Sequence, residues 1–123
     1  MENYKYKEIT KKIIGEAIGV HKKLGPGFPE KVYQRALALA LKKTELKFIQ
    51  EKKFYIKFMG KNIGYEFVDF LIENAVVVEI KAISEITNIQ IAQVVSYLKG
   101  TNKNVGLILN FAKSKLEIKR VII

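Results

Sequence analysis

Glu79 and Lys81 stand two residues apart at the end of the most apolar stretch of this 123-residue chain, Ala75-Val76-Val77-Val78-Glu79-Ile80-Lys81-Ala82. Residues two apart in a strand leave the same face. A carboxylate and an ammonium therefore emerge side by side from a strand that its β-branched run predicts to be buried. Asp69 lies in the preceding apolar run, Val68-Asp69-Phe70-Leu71-Ile72, and the polar break Glu73-Asn74 between the two runs reads as a hairpin turn. Across that hairpin Asp69 faces the other two. Acids and lysines are almost never fully buried without partners. An ordinary Glu79–Lys81 ion pair at a strand end is one account of them. A metal site is the other. Two carboxylates in close contact repel unless a divalent cation lies between them, and hard oxygen ligands suit magnesium. Lys81 would then stabilise charge developing on an attacking hydroxide or a phosphate oxygen.

The elements that must position these groups follow from periodicity. Ile9, Ile13, Ala17, Val20 and Leu24 recur at helical spacing, which predicts a helix over Tyr4–Leu24 with a lysine-rich opposite face. His21, in its last turns, reads as a surface or half-packed residue rather than a ligand. Gly25-Pro26-Gly27 stops that helix, and Pro29 suits the first turn of a second one, about Pro29–Lys43. There Val32, Ala36, Leu39 and Ala40 share a face, with Tyr33, Leu37 and Leu41 beside it. Glu30 stands at its start, either to complement the helix dipole or to point into the cleft of Asp69 and Glu79. Phe48–Met59 alternates, with Phe54, Ile56 and Phe58 on one face and Lys53, Tyr55 and Lys57 on the other, as a half-exposed strand does. Gly60-Lys61-Asn62 reads as a turn, and Ile63–Ile72 returns as the strand of Asp69. Thr87 or Asn88 caps a helix over Ile89–Lys99. Gln90, Gln93 and Tyr97 form its polar stripe; Ile91, Val94, Val95 and Leu98 form the apolar one. Val105–Phe111 and Leu116–Ile123 are two further strands. The expected order is α-α-β-β-β-α-β-β, one α/β (α+β) domain over residues 1–123 with a mixed sheet.

Composition narrows the chemistry. The chain has no cysteine, which excludes disulfides, iron–sulfur clusters and thiolate zinc sites, and one histidine, which disfavours a multi-histidine zinc site. No apolar run approaches the roughly 20 residues that cross a bilayer. Met1-Glu2-Asn3-Tyr4-Lys5 is followed by no apolar signal region, so a cytoplasmic protein is expected. The net charge of +10, from 22 Lys+Arg against 12 Asp+Glu, favours a polyanion as partner, nucleic acid first. Lysine supplies nearly all of it, since Arg35 and Arg120 are the only arginines.

Gly27-Phe28-Pro29-Glu30-Lys31-Val32-Tyr33 resembles the Gly-x-x-Glu-x-x-Tyr signature of the GxxExxY proteins, a small family in the PD-(D/E)XK nuclease superfamily. Val68-Asp69-Phe70-Leu71, Val78-Glu79-Ile80-Lys81-Ala82, Ala92-Gln93-Val94-Val95-Ser96-Tyr97 and Gly106-Leu107-Ile108-Leu109-Asn110-Phe111 extend the resemblance over nearly the whole chain. It implies a restriction-endonuclease-like core, in which Glu30, Asp69, Glu79 and the carbonyl of Ile80 hold magnesium, with manganese able to substitute. It also implies that Lys81 assists the attacking water and that Gln93 borders the active site. Glu66-Phe67-Val68 stands where relatives often carry a basic residue before the aspartate, and Gln90 where a histidine often precedes the glutamine. Neither departure removes a metal ligand. The expected activity is magnesium-dependent hydrolysis of phosphodiesters, in DNA ahead of RNA. The alternatives are a non-catalytic nucleic-acid-binding module and a homodimeric interaction module on the same fold.

Overall fold

A computed structural model describes the backbone of residues 2–123 and the side chains from Tyr6 onwards. Met1 and the side chains of residues 2–5 lie outside the described residues, and with them the reading of Met1–Lys5 as free of a signal region.

The elements are α1 (Glu2–Leu24), α2 (Glu30–Lys42), β1 (Phe48–Phe58), β2 (Lys61–Ile72), β3 (Val76–Lys81), α3 (Asn88–Thr101), β4 (Val105–Asn110) and β5 (Glu117–Ile122). The strands form one sheet in the order β1-β2-β3-β4-β5. All neighbours pair antiparallel except β3 and β4, which run parallel and are joined through α3. The two central strands carry almost uninterrupted apolar runs because both of their faces are covered. On one face Ile13 and Ala17 of α1 and Tyr33 and Leu37 of α2 meet Phe70, Val78, Ile80 and Leu107. On the other, Val94 and Leu98 of α3 meet Val68, Val77, Ile108 and Val121. The result is the expected mixed sheet between helical layers. Among the described residues no helix is long and apolar enough to cross a membrane.

Several local expectations need correction. The buried stripe of α2 is Tyr33, Gln34, Leu37, Ala38 and Leu41, while Leu39 is 65% exposed. The larger side chains turn to the sheet with Ala38, while Ala36 and Ala40 are only partly buried. Pro29 is the residue before α2, in an extended conformation, and Glu30 is the first helical residue. Phe54 of β1 is buried, but Ile56 and Phe58 are exposed. The register with β2 shifts between Ile56 and Lys57, and every residue from Tyr55 to Ile63 is exposed, so this hairpin extends beyond the helices that cover the rest of the sheet. His21 is buried, not superficial: its Nε2 donates to the carbonyl of Lys113 at 2.8 Å, and its ring lies against Phe111. Gln90 belongs to no open polar stripe, because its side chain closes a capping box with Thr87 at the start of α3.

The connection from α1 to α2 shows why its residues are spaced as they are. Gly25 and Gly27 take φ values of +70° and +117°, which side chains disfavour. Tyr33 is fully buried one turn into α2 and stacks on Phe111, with ring centroids 4.6 Å apart. Its hydroxyl donates to the Gly25 carbonyl at 2.6 Å and accepts from the Phe28 amide at 3.1 Å. One phenol therefore ties both ends of the connection to the helix it precedes, and that fixes where Glu30 begins α2. Tyr33→Phe removes both bonds from part-buried backbone groups and is predicted to lower stability by about 0.5–1.5 kcal/mol. Urea unfolding measures it; an unchanged midpoint would show that the hydroxyl does not anchor this connection.

Candidate active site

Strands β2 and β3 pair regularly from Ile72 and Val76 up to Phe70 and Val78, and there the ladder ends. Beyond it two carboxylates take over from the backbone carbonyls. The Asp69 amide donates to Glu79 Oε2 at 2.8 Å, and the Ile80 amide donates to Asp69 Oδ2 at 2.7 Å. Each acid thus binds the backbone of the other's strand. In this region alternation also breaks on β2, since Val68 packs toward α3 whereas Phe70 packs toward α1 and α2. Glu51, level with Asp69 on β1, has φ +54°.

Helices α2 and α3 complete the site from either side. Gln34 Nε2 donates to Asp69 Oδ1 at 2.7 Å, and Gln50 Nε2 donates to Gln34 Oε1 at 3.0 Å. Both Asp69 oxygens are therefore held. Lys81 Nζ donates to Gln93 Oε1 at 2.7 Å, so the ammonium is aimed by α3 rather than by Glu79. The ordinary Glu79–Lys81 ion pair is not formed among the described residues. Glu30 Oε2 accepts from the Ala82 amide at 3.2 Å, just past the end of β3. Residues from five elements, two of them helices distant in sequence, thus meet at one end of β3.

The electrostatics of this cluster are those of negative charge short of compensation. Glu79 is only 5% exposed. Burial, and then the charge of Asp69, push its carboxyl up to about 8, against the opposing pull of the Asp69 amide and Lys81. Asp69 is also raised, chiefly by burial, with the Ile80 amide and Gln34 acting against that. The charge of Glu30 raises both. Among the described residues Glu79 Oε1 receives no hydrogen bond. A buried and a half-buried carboxyl held together, with hard oxygen donors and one oxygen free of hydrogen bonds, fit a divalent cation. The ligand shell is not closed: among the described residues no three histidines or acids already stand close enough to hold an ion together. Glu30, exposed and bonded to the backbone, is the arm that remains apart.

Asp69, Glu79, Ile80, Lys81 and Gln93 are brought to one place, and Glu30 lies at its edge, bonded to the Ala82 amide. Gln34 and Gln50 did not emerge from the sequence. The available signal was Gln34 itself, four residues after Glu30 and inside the Tyr33–Leu37–Leu41 stripe, where an amide has to be satisfied.

A family model for the PD-(D/E)XK nuclease superfamily matches residues 7–121, and the chain belongs to that superfamily. Nucleases of this class generally use divalent metals. Among solved structures the chain is similar to the crystal structure of SSO0001, at 17% identity and a TM-score of 0.63; the match covers 75% of this chain and 48% of that one. At that identity the likeness is one of fold. The chain thus spans about half the length of that relative. No curated protein matches it.

Glu79 has an ordinary value of 4.5 and titrates at about 8 in the folded chain. A raised carboxyl does not penalise folding below its unfolded pKa; the penalty grows as pH rises and is complete above the folded one. The metal-free protein is therefore predicted to lose thermal stability between about pH 5 and pH 8, and Glu79→Gln to flatten that loss. Equal slopes in the two proteins would contradict the assignment.

Proposed function

We propose that this protein is a GxxExxY-type nuclease that hydrolyses phosphodiester bonds in DNA with magnesium, manganese being able to substitute. The observation that carries the reading is the pair of half-buried Asp69 and buried Glu79, locked by reciprocal backbone bonds beside the Lys81 ammonium. Asp69, Glu79 and the Ile80 carbonyl are the groups we assign to the metal, with Glu30 joining them by releasing the Ala82 amide. A bound divalent cation supplies a Lewis acid for a phosphate oxygen and a water of lowered pKa.

The protein's own groups supply the rest. Lys81 stabilises negative charge developing at the attacking oxygen or the phosphate. Gln93 holds the ammonium in position through a single 2.7 Å bond, and its flexible stem leaves it free to follow the reacting oxygen. Gln34 orients Asp69, and Gln50 orients Gln34. Loss of the Glu79 proton precedes its use as a ligand, so metal binding competes with protonation below about pH 8. A net charge of +10 supports phosphate contacts of weak sequence specificity and steep salt dependence.

Incubation with supercoiled, linear, branched and single-stranded DNA in magnesium or manganese is predicted to give cleavage whose rate rises toward about pH 8. Glu79→Ala and Asp69→Ala remove it, and Lys81→Ala lowers it by about 100-fold or more. Absence of cleavage on all four substrates, or cleavage surviving Glu79→Ala, points instead to a binding module without catalysis.

A further inference from the structure

The exposed part of the β1–β2 hairpin carries a cluster that the active site does not use. Tyr55 pairs directly across the ladder with Tyr65, and Lys53 with Phe67. Lys53 Nζ lies 4.1 Å from the Tyr65 ring centroid and 5.3 Å from that of Tyr55. Tyr65 meets Phe67 edge-on, with centroids 5.8 Å apart. These contacts put all four side chains on one face of the hairpin. The other face is the one packed on α3, where Phe54 and Glu66 both meet Tyr97. The three rings of the free face are 46–54% exposed. Contiguous exposed aromatics of this kind mark a binding surface rather than a core. Phe67 is two residues from Asp69 on the same strand, so the cluster lies next to the candidate site along β2.

Its charge selects the partner. Among the described residues Lys53 has no ion pair. The acids nearest in sequence are engaged elsewhere, Glu66 with Tyr97, Glu51 with Lys31, and Asp69 with Gln34 and the Ile80 amide. The face is therefore aromatic and cationic, with no acid to answer its own lysine. A second copy placed on it would set one cationic face against another, with no acid on either, which is unfavourable. A polyanion that offers flat rings is complementary on both counts. An unpaired nucleic-acid strand is such a partner, because aromatic side chains stack on its bases and lysines track its phosphates. A duplex keeps its bases stacked on one another and offers the rings little.

We propose that the Lys53–Tyr55–Tyr65–Phe67 face binds an unpaired nucleic-acid strand and delivers it to Asp69 and Glu79, so that single-stranded or branched substrates are preferred. The delivery step rests on the nuclease reading above; the binding step does not. Fluorescence anisotropy of the full chain in a metal chelator, with a labelled short oligothymidylate and a labelled duplex of equal length, separates the two. The single strand is expected to bind about tenfold more tightly than the duplex. Tyr65→Ala and Phe67→Ala each weaken single-strand binding by about tenfold, with thermal midpoints and duplex affinity unchanged. Lys53→Glu weakens it and makes its salt dependence shallower. Equal affinity for the two probes overturns the proposal, even if cleavage is found. So does affinity indifferent to Tyr65→Ala, or light scattering that shows a dimer which Tyr65→Ala dissociates. If the single-strand preference holds and no DNA is cut, the nuclease reading fails and the surface stands.

Discussion

Two peptide N–H groups at the place where β2 and β3 part company bind carboxylates instead of carbonyls, and the rest of the site depends on that exchange. A sheet ladder satisfies backbone groups with backbone groups. Here Asp69 and Glu79 take two of those bonds, each across the gap to the other's strand. The exchange holds Glu79 inside the sheet and Asp69, half-buried, at its margin. It also fixes their spacing more tightly than side-chain rotamers alone would, because each oxygen is tied to main chain. The price is electrostatic, and it falls on Glu79, whose carboxyl is pushed up to about 8. Lys81 opposes that shift although its ammonium is bonded to Gln93.

The surrounding elements serve to hold that arrangement. The sheet supplies a rigid floor through the fully covered strands β3 and β4. From α2 comes Gln34, fully packed and bonded on one side to Asp69 and on the other to Gln50, so that one amide relays the position of β1 to the site. The connection before α2 is locked by the Tyr33 hydroxyl, which sets the first residue of that helix and therefore Glu30. The spacing Gly27, Glu30, Tyr33 thus has a mechanical meaning. The glycine allows the loop, the tyrosine fastens it, and the glutamate is carried at the fastened end on the same helical face.

Much of this was legible in the residues. The apolar run before Glu79 identified the central strand, and the Glu73-Asn74 break identified the hairpin; both residues adopt the positive φ of a tight turn, +53° and +52°. Element order followed from the switch between periods of 3.6 and 2. What sequence did not disclose depends on tertiary reach. The stripe of α2 was misplaced by one residue because Val32, Ala36 and Ala40 are as apolar as the stripe that is buried. The exposure of Ile56 and Phe58 could not be read from alternation, since alternation reports two faces and not whether a helix covers one of them. His21 looked superficial because its partner, the Lys113 carbonyl, lies 92 residues away. Gln34 and Gln50 were missed for the same reason: an amide declares its role only through what it touches.

We assign the metal to the Asp69–Glu79 pair, and crystals soaked in a manganese salt put that to the test. An anomalous peak is expected within about 2.1–2.2 Å of oxygens from both Asp69 and Glu79, with the Ile80 carbonyl in the same shell. A protein that shows no peak there at saturating manganese, with the two carboxyls still bonded only to each other's backbone, would contradict it.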